Sequence, residues 1–159
     1  MVQHHNLRRY PFRRPQEWIS ESYAVRDKYF HKIVKQWGHE PTVDAFASKD
    51  NAKFAIWWGS GSPHGTDAFQ QSWKGQFLWM NPPYSRLPEV VAKLKEDQAH
   101  SVLVVPNWQG RKWYQQAWQL RLTDLWFPTG TKIFELNGKP CKGTLWPTRA
   151  LLVCGRTSR

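Results

Sequence analysis

The segment Asn81-Pro82-Pro83-Tyr84 directly follows an apolar stretch and combines residues suited to one kind of chemistry. The side-chain oxygen of Asn81 and the backbone carbonyl of Pro82 are two hydrogen-bond acceptors. The prolines fix φ and add no competing N–H, so the loop is expected to be rigid. Two acceptors on the N–H bonds of the exocyclic amine of adenine would draw its lone pair out of conjugation. We therefore predict catalytic roles for Asn81, Pro82, Pro83 and Tyr84, with Tyr84 stacking on the base.

A base within a duplex cannot reach such a loop, so this chemistry requires the base to be flipped out. We expect the loop to be surface-exposed at an edge of the sheet. The alternative interpretation is structural: a Pro-Pro turn after a strand, in which Asn81 is an ordinary turn residue.

The elements that must position this loop are visible as alternating apolar and turn-rich stretches. An amphipathic pattern predicts a first helix over residues 18–37, ending before Gly38. Later runs predict strands at 42–47, 54–58, 76–80, 101–105, 124–127, 132–136 and 149–153, and helices at 87–98 and 111–120.

Strands that alternate with helices favour an α/β fold with a mostly parallel sheet and helices on both faces. No helix separates the last two predicted strands, so we expect a C-terminal antiparallel edge formed like a hairpin. In parallel sheets the active site lies beyond the carboxyl ends of the strands. Asp44, near the end of the first predicted strand, and Asn81, after the third, should therefore border one crevice.

The chain is strongly basic, with 23 Lys and Arg against 12 Asp and Glu and a net charge of +11. Aromatic residues are interleaved with these charges, which favours a nucleic-acid partner over a charge that merely keeps the protein soluble. Residues 1–15 are predicted to form a basic flexible arm, and residues 16–159 a single domain. The arm is expected to contact nucleic acid through Arg8, Arg9, Arg13 and Arg14.

A second candidate for nucleic-acid contact lies at the turn before the helix predicted at 111–120. Trp108, Arg111 and Lys112 combine an aromatic ring with two cations there, which suits base stacking and phosphate contact at a helix start. The alternative is a capped amphipathic helix that uses Trp113 and Trp118 as core residues.

Several function classes are disfavoured. No apolar run approaches the ~20 residues of a membrane helix, and the first 15 residues lack the apolar segment of a secretory signal. Two cysteines are too few for a disulfide framework or a zinc site, so an intracellular, reducing compartment is the simplest interpretation. The six histidines show no metal-ligand spacing, and we predict no metal.

From residue 42 to about 153 the chain resembles the phage-type DNA N6-adenine methyltransferase (Dam) family. It is also similar to the methyltransferase-like domain of DIRS-type retrotransposons. The matching features occur in family order: Val43-Asp44-Ala45-Phe46-Ala47, Asn51-Ala52-Lys53, Gly65-Thr66-Asp67-Ala68-Phe69 with Trp73, Asn81-Pro82-Pro83-Tyr84-Ser85, Val105-Pro106-Asn107-Trp108 with Trp113-Tyr114, and Lys132-Ile133-Phe134.

The resemblance implies a Rossmann-like methyltransferase sheet and S-adenosylmethionine as methyl donor. It implies cofactor-binding roles for Asp44, Phe46, Ala47 and Asp67. Asp44 would pair with the cofactor's ammonium, and Asp67 would accept from its adenine amine. The turn after the first strand lacks the glycine that many methyltransferases carry there.

The resemblance implies DNA rather than RNA as substrate. Two alternatives remain open. One is an RNA methyltransferase. The other is a catalytically inactive methyltransferase-like module that binds nucleic acid or serves as a structural subunit of a ribonucleoprotein or retroelement complex.

Overall fold

The computed structural model describes residues 23–155. Within this range the chain forms three α-helices: α1 (Asp27–Gln36), α2 (Leu87–Asp97) and α3 (Lys112–Leu120). Two short 3₁₀ turns lie at Ala68–Gln70 and Tyr84–Arg86. The strands are β1 (Tyr23–Val25), β2 (Val43–Asp44), β3 (Ile56–Trp57), β4 (Phe77–Met80), β5 (His100–Pro106), β6 (Arg121–Phe127), β7 (Phe134–Leu136), β8 (Lys139–Pro140) and β9 (Thr148–Cys154).

The main sheet is mixed and has six strands in the order β3-β2-β4-β5-β9-β6. The pairings β2–β3, β2–β4 and β4–β5 are parallel, and β9 runs antiparallel to both β5 and β6. The strand β4 therefore lies inside the sheet. Because the loop 81–84 follows β4, it emerges between the ends of two neighbouring strands.

The last strand runs antiparallel as predicted, but the predicted hairpin-like edge formed by 132–136 and 149–153 was wrong. β9 lies inside the sheet between β5 and β6, while β7 joins β1 and β8 in a separate three-stranded sheet. Burial explains the difference: Ala150, Leu151 and Val153 are all fully buried, as suits a strand covered on both faces. β6 carries the exposed side chains Leu122 and Trp126, which an edge strand tolerates better.

The helices cover both faces of the main sheet. α1 places Phe30 edge-to-face on Trp79 of β4, with 4.8 Å between ring centroids. Trp79 is in register with Val102 of β5 and Leu152 of β9, so these three side chains share one face of the sheet. Successive side chains of a strand alternate between faces, and Arg149 is three residues from Leu152, so Arg149 projects from the opposite face. Trp118 of α3 contacts Arg149 there, and α2 packs on α3.

The first helix is shorter than predicted. It begins at Asp27, and Tyr23–Val25 instead form β1, which pairs antiparallel with Phe134–Leu136. The helical prediction for these three residues was wrong because a partner strand more than 100 residues away satisfies their backbone groups, which no local pattern reveals. The part of that prediction before Tyr23 lies outside the described residues.

α2 fixes the chain that leaves the loop. Pro88 occupies a first-turn position, where its missing N–H costs nothing. Leu87, Val90, Val91 and Leu94 are completely buried at helical spacing. This apolar stripe holds the start of α2, and with it the end of the Asn81–Tyr84 loop, against the protein core.

Candidate active site

The Asn81–Tyr84 loop is buried, contrary to the predicted exposure at a sheet edge. Asn81 is only 4% exposed and Tyr84 6%, and both prolines are buried as well. The physical reason is the strand order: β4 is an inner strand, so loops at the ends of β2 and β5 flank the segment that follows it. The loop therefore lies at the base of a candidate site and does not project into solvent.

The side-chain oxygen of Asn81 is buried and has no hydrogen-bond partner among residues 23–155. Leaving a buried acceptor unsatisfied costs about 1–3 kcal/mol. The backbone hydrogen bonds of this loop use the carbonyls of Pro83 and Tyr84, which accept from the N–H groups of Arg86 and Leu87. An acceptor kept unpaired in the interior is suited to a donor that arrives with a ligand.

Asn81 and Asp44 line one crevice, as predicted from the position of Asp44 near the end of one strand and of Asn81 directly after another. Phe46, Lys53 and Trp79 line it too, and β1 borders it on another side. The crevice is narrow, with a cavity volume of about 10 Å³.

Asp44 is buried, 3% exposed, and its position is fixed by the loop that follows β2. One carboxylate oxygen accepts a hydrogen bond of 3.0 Å from the backbone N–H of Lys53. The loop itself is closed by Asn51, whose side chain accepts from the backbone N–H of Ser48 at 2.8 Å. The result is a carboxylate held at the crevice wall without a glycine-rich turn.

Lys53 binds this loop to α1. Its ammonium lies 2.8 Å from the carboxylate of Asp27 and over the ring of Phe30. The hydrogen bond and charge of Lys53 lower the pKa of Asp27. Sequence reasoning did not identify this pair, since 26 residues separate its members.

Ala47 and Asp67, the other residues predicted to bind the cofactor, differ in their exposure to solvent. Ala47 is completely buried, and its N–H bonds the carbonyl of Trp58. Asp67 is exposed and caps a 3₁₀ turn by accepting from the N–H of Phe69 at 2.9 Å. The rings of Phe46 and Phe69 meet edge-to-face at 5.6 Å, which brings the turn that Asp67 caps close to Phe46.

An aromatic cluster borders the Asn81–Tyr84 loop on the β5 side. Tyr84 packs edge-to-face on Trp108 at 5.4 Å, and Trp108 packs on Trp146 at 5.2 Å. The guanidinium of Arg111 lies 5.1 Å from the centre of the Trp108 ring. Arg111 and Lys112 are exposed, so this predicted nucleic-acid contact lies next to the loop.

Asn107 anchors that cluster, and sequence reasoning missed its role. Its side-chain oxygen accepts from the hydroxyl of Tyr114 at 2.5 Å and from the guanidinium of Arg149 at 3.1 Å. Arg149 also pairs with the carboxylate of Asp124. Burial raises the pKa of Tyr114, which keeps its hydroxyl a donor. The sequence showed that Asn107 and Trp108 follow a strand, but it could not show the partners of Asn107, which lie in α3 and β9.

Three further predictions concern the basic arm, metal binding and membrane helices. The four arm arginines, Arg8, Arg9, Arg13 and Arg14, lie outside the described residues. Within residues 23–155, no cluster of three or more His, Cys, Asp or Glu could hold a metal ion. No helix in this same part of the chain is both long and apolar enough to cross a membrane.

Comparison with known families identifies a match. The family described as DNA N-6-adenine-methyltransferase (Dam) matches residues 16–139, well over half of the chain. The matched range contains the crevice residues and the Asn81–Tyr84 loop. No curated protein matches the chain.

Proposed function

This chain belongs to the DNA N-6-adenine-methyltransferase (Dam) family, and from that premise we propose that it transfers a methyl group from S-adenosylmethionine to N6 of adenine in DNA. The reaction would take place over the Asn81-Pro82-Pro83-Tyr84 loop. The fold we propose is accordingly the Rossmann-like methyltransferase type, with β9 as its one reversed strand in the main sheet.

The observation that carries the proposal is the unpaired oxygen of Asn81. It is buried in the crevice that also contains the Asp44 carboxylate, and no residue from 23 to 155 uses it. A protein gains nothing in stability from such an atom. It does gain an acceptor that is already oriented for the amine of an incoming base, which is how preorganised polar groups accelerate reactions.

The residues around Asp44 suit the proposed methyl donor chemically. A buried carboxylate can pair with the donor's ammonium, and the nearby ring of Phe46 can favour its positive sulfonium. Asp67 is the proposed acceptor for its adenine amine, on the Phe69 side of Phe46. S-adenosylmethionine supplies an electrophilic methyl group in such a site, and the chain's own residues supply position and polarity.

The proposed roles in the transfer follow from these positions. Asn81 and the Pro82 carbonyl accept from the two N–H bonds of the adenine amine and orient its lone pair. Tyr84, held by Trp108, is the proposed contact for the flipped base. The donor would supply the methyl carbon and leave as S-adenosylhomocysteine when its carbon–sulfur bond breaks. The surplus proton on the methylated amine would become acidic and could leave to water. Alignment of the reacting atoms would provide most of the acceleration.

The crevice is too narrow for S-adenosylmethionine, so it must widen when the methyl donor binds. Its volume of about 10 Å³ admits about one water molecule, whereas small-molecule pockets are typically ~300–1,000 Å³. β1 borders the crevice and pairs its backbone with β7 rather than with a strand of the main sheet, so we propose that it moves when the donor binds. The same narrowness favours a second candidate function, a methyltransferase-like module that binds nucleic acid without catalysis.

Methyl transfer from labelled S-adenosylmethionine to adenine-containing DNA separates the two functions. We expect label in DNA, and nucleoside analysis should find it in N6-methyladenine. Calorimetry with S-adenosylhomocysteine measures cofactor binding on its own. If millimolar S-adenosylhomocysteine gives neither heat nor a thermal shift, and no DNA or RNA accepts label while nucleic acid still binds, the non-catalytic module is correct. Label in RNA alone would identify an RNA methyltransferase.

A further inference from the structure

The outer side of α3 carries a groove that the proposed catalytic loop does not use. Gln109, Tyr114, Gln115, Trp118 and Gln119 line it, and we call it the α3 groove. Its volume is about 500 Å³, much larger than the crevice at Asn81. It is also open to solvent, and Gln115 and Gln119 are exposed at its wall.

The floor of the α3 groove is aromatic and is backed by arginines. The rings of Tyr114 and Trp118 are stacked, 13° from parallel with centroids 6.0 Å apart. The guanidinium of Arg121 lies 3.6 Å from the centre of the Trp118 ring, and that of Arg149 lies 4.8 Å from it. This alternation of flat rings and flat cations is a surface on which another planar group can stack.

The aromatic surface continues onto the edge strand β6. Trp126 is 46% exposed, and the guanidinium of Arg149 lies 4.4 Å from its ring centre. Arg149 thus lies between two tryptophans, Trp118 and Trp126. Trp126 and Arg149 therefore extend the aromatic and cationic surface from α3 to β6.

The walls of the groove provide hydrogen-bonding groups without net negative charge. Gln115 donates to the backbone carbonyl of Gln109 at 3.1 Å, which fixes one wall, and Gln119 is one helical turn further on. Amide side chains offer both donors and acceptors, as base edges require. Arg111 and Lys112 are exposed at the start of the same helix, and the whole chain carries +11.

The groove connects to the proposed catalytic loop through a short path of contacts. The hydroxyl of Tyr114 donates to Asn107, the neighbour of Trp108, and Trp108 packs on Tyr84. A polyanion that reaches the loop past Trp108 would therefore meet Arg111 and Lys112 and then the groove.

We propose that the α3 groove binds an unpaired base of the nucleic acid strand on which the enzyme acts. The base stacks on the outer face of the Arg121 guanidinium, which covers the Trp118 ring at 3.6 Å. The edge of the base contacts Gln115 or Gln119, and the neighbouring phosphates contact Arg111 and Lys112. The identification of nucleic acid as the ligand of the groove rests on the proposed function. Because stacking requires a free base face, the groove recognises single-stranded rather than fully paired DNA.

Two glutamines make a matched pair of variants. Gln119→Glu places a negative charge at the groove wall, and Gln36→Glu places the same charge in the last turn of α1, on the other face of the sheet. Both side chains are exposed, so neither change should unfold the protein. Fluorescence anisotropy with a labelled 15-nucleotide single strand, and with the matching duplex, measures affinity without requiring methyl transfer.

We expect Gln119→Glu to weaken single-strand binding roughly three- to tenfold at low salt, and Gln36→Glu to change it less than twofold. The duplex should bind more weakly and be less affected by Gln119→Glu. Equal losses in both variants, or none in Gln119→Glu, would overturn the proposal.

Crosslinking locates the base directly. Irradiation of a bound oligonucleotide that carries 5-iododeoxyuridine should give adducts at aromatic residues within 114–126, identified by mass spectrometry. Adducts confined to other segments would contradict the groove. Cofactor binding is measured separately by calorimetry. A protein that binds no S-adenosylhomocysteine but still crosslinks at 114–126 would refute the catalytic function and leave the groove intact.

Discussion

The ring of Tyr84 meets the ring of Trp108 edge-to-face, with 5.4 Å between centroids and 78° between planes. This contact joins the last residue of the proposed catalytic loop to the turn after β5. Trp108 is held in turn by Trp146 and by the neighbouring Asn107. The position of Tyr84 therefore depends on an aromatic cluster built by three separate parts of the chain.

The cluster leads to a first prediction about Trp108. Replacing it with alanine removes the ring that positions Tyr84 and should lower the rate of methyl transfer about tenfold or more, while S-adenosylhomocysteine still binds. Tyr84→Phe keeps the ring contact and should retain much of the rate. Steady-state kinetics for both variants tests this. A Trp108→Ala rate equal to that of the parent would show that the contact is structural only.

The second prediction concerns Asn81 and has two readouts. Asn81→Ala removes the proposed acceptor and should lower the methyl-transfer rate by about 10²–10³-fold, with cofactor affinity nearly unchanged. The same change removes a buried acceptor that has no hydrogen-bond partner among residues 23–155. The free energy of unfolding should therefore stay equal or rise by up to about 1 kcal/mol.

Asn81→Asp is the conservative control, since it keeps an oxygen at that position, and it should retain partial activity. Denaturant titration and labelled-methyl transfer are measured on the same preparations. A variant Asn81→Ala that is fully active, or that loses activity only because it unfolds, would show that Asn81 is an ordinary turn residue.

The third prediction addresses the proposed donor site. Asp44→Asn keeps an acceptor for the Lys53 N–H but removes the charge that would pair with an ammonium. A hydrogen bond to a charged group is worth about 1.5–3 kcal/mol, so S-adenosylhomocysteine should bind roughly 10–100-fold more weakly by calorimetry. Asp50→Asn, a change at an exposed carboxylate nearby, is the control and should leave affinity unchanged.

Stability at acid pH should depend on Asp97. Its carboxylate accepts from the backbone N–H of the fully buried Trp73 at 2.8 Å and pairs with Lys93 at 3.0 Å. Burial opposes ionisation of Asp97, yet these two partners prevail and hold its pKa below the ordinary 3.8.

Because the pKa of Asp97 is lower in the folded state than in the unfolded chain, its contribution is complete above about pH 4 and is lost as the pH falls through the lowered value. Urea titrations between pH 6 and pH 2.5 should show a drop that Asp97→Asn lacks, at the cost of lower stability at pH 6. An identical pH profile in both proteins would contradict this.

The fifth prediction concerns the basic arm. Deleting residues 1–14 removes Arg8, Arg9, Arg13 and Arg14, so the fall of DNA affinity with salt should become less steep by up to about four released counterions. The measurement is the slope of log affinity against log salt for both proteins. An unchanged slope would show that the arm does not contact phosphate.

Sequence reasoning succeeded where local pattern carries the information. Apolar runs located β4, β5, β9 and the helices α2 and α3 to within a residue or two, and the residues around Asn81 led to the family that the comparison confirmed. It failed where distant pairing decides. The three residues of β1 need a partner in β7, and β9 enters between β5 and β6, which no local spacing specifies.

The candidate site divides in the same way. The positions of Asp44 at the end of one strand and of Asn81 directly after the next strand of the sheet correctly placed both on one crevice. The burial of the loop and the bonds of Asn107 with Tyr114 and Arg149 were missed, because they depend on side chains from four elements meeting in space. The residue types of the candidate site can thus be recognised in the sequence, whereas the packing that orients them cannot.

The insertion of β9 has a consequence for how the protein acquires its structure during synthesis. Until residues 148–154 emerge, β5 and β6 have no partner between them, and each presents an unsatisfied row of backbone groups. Open strand edges of this kind promote aggregation, and pairing across such a long stretch of chain slows folding. A chain cut after residue 139, where the family match ends, would retain the proposed catalytic residues and yet be expected to precipitate.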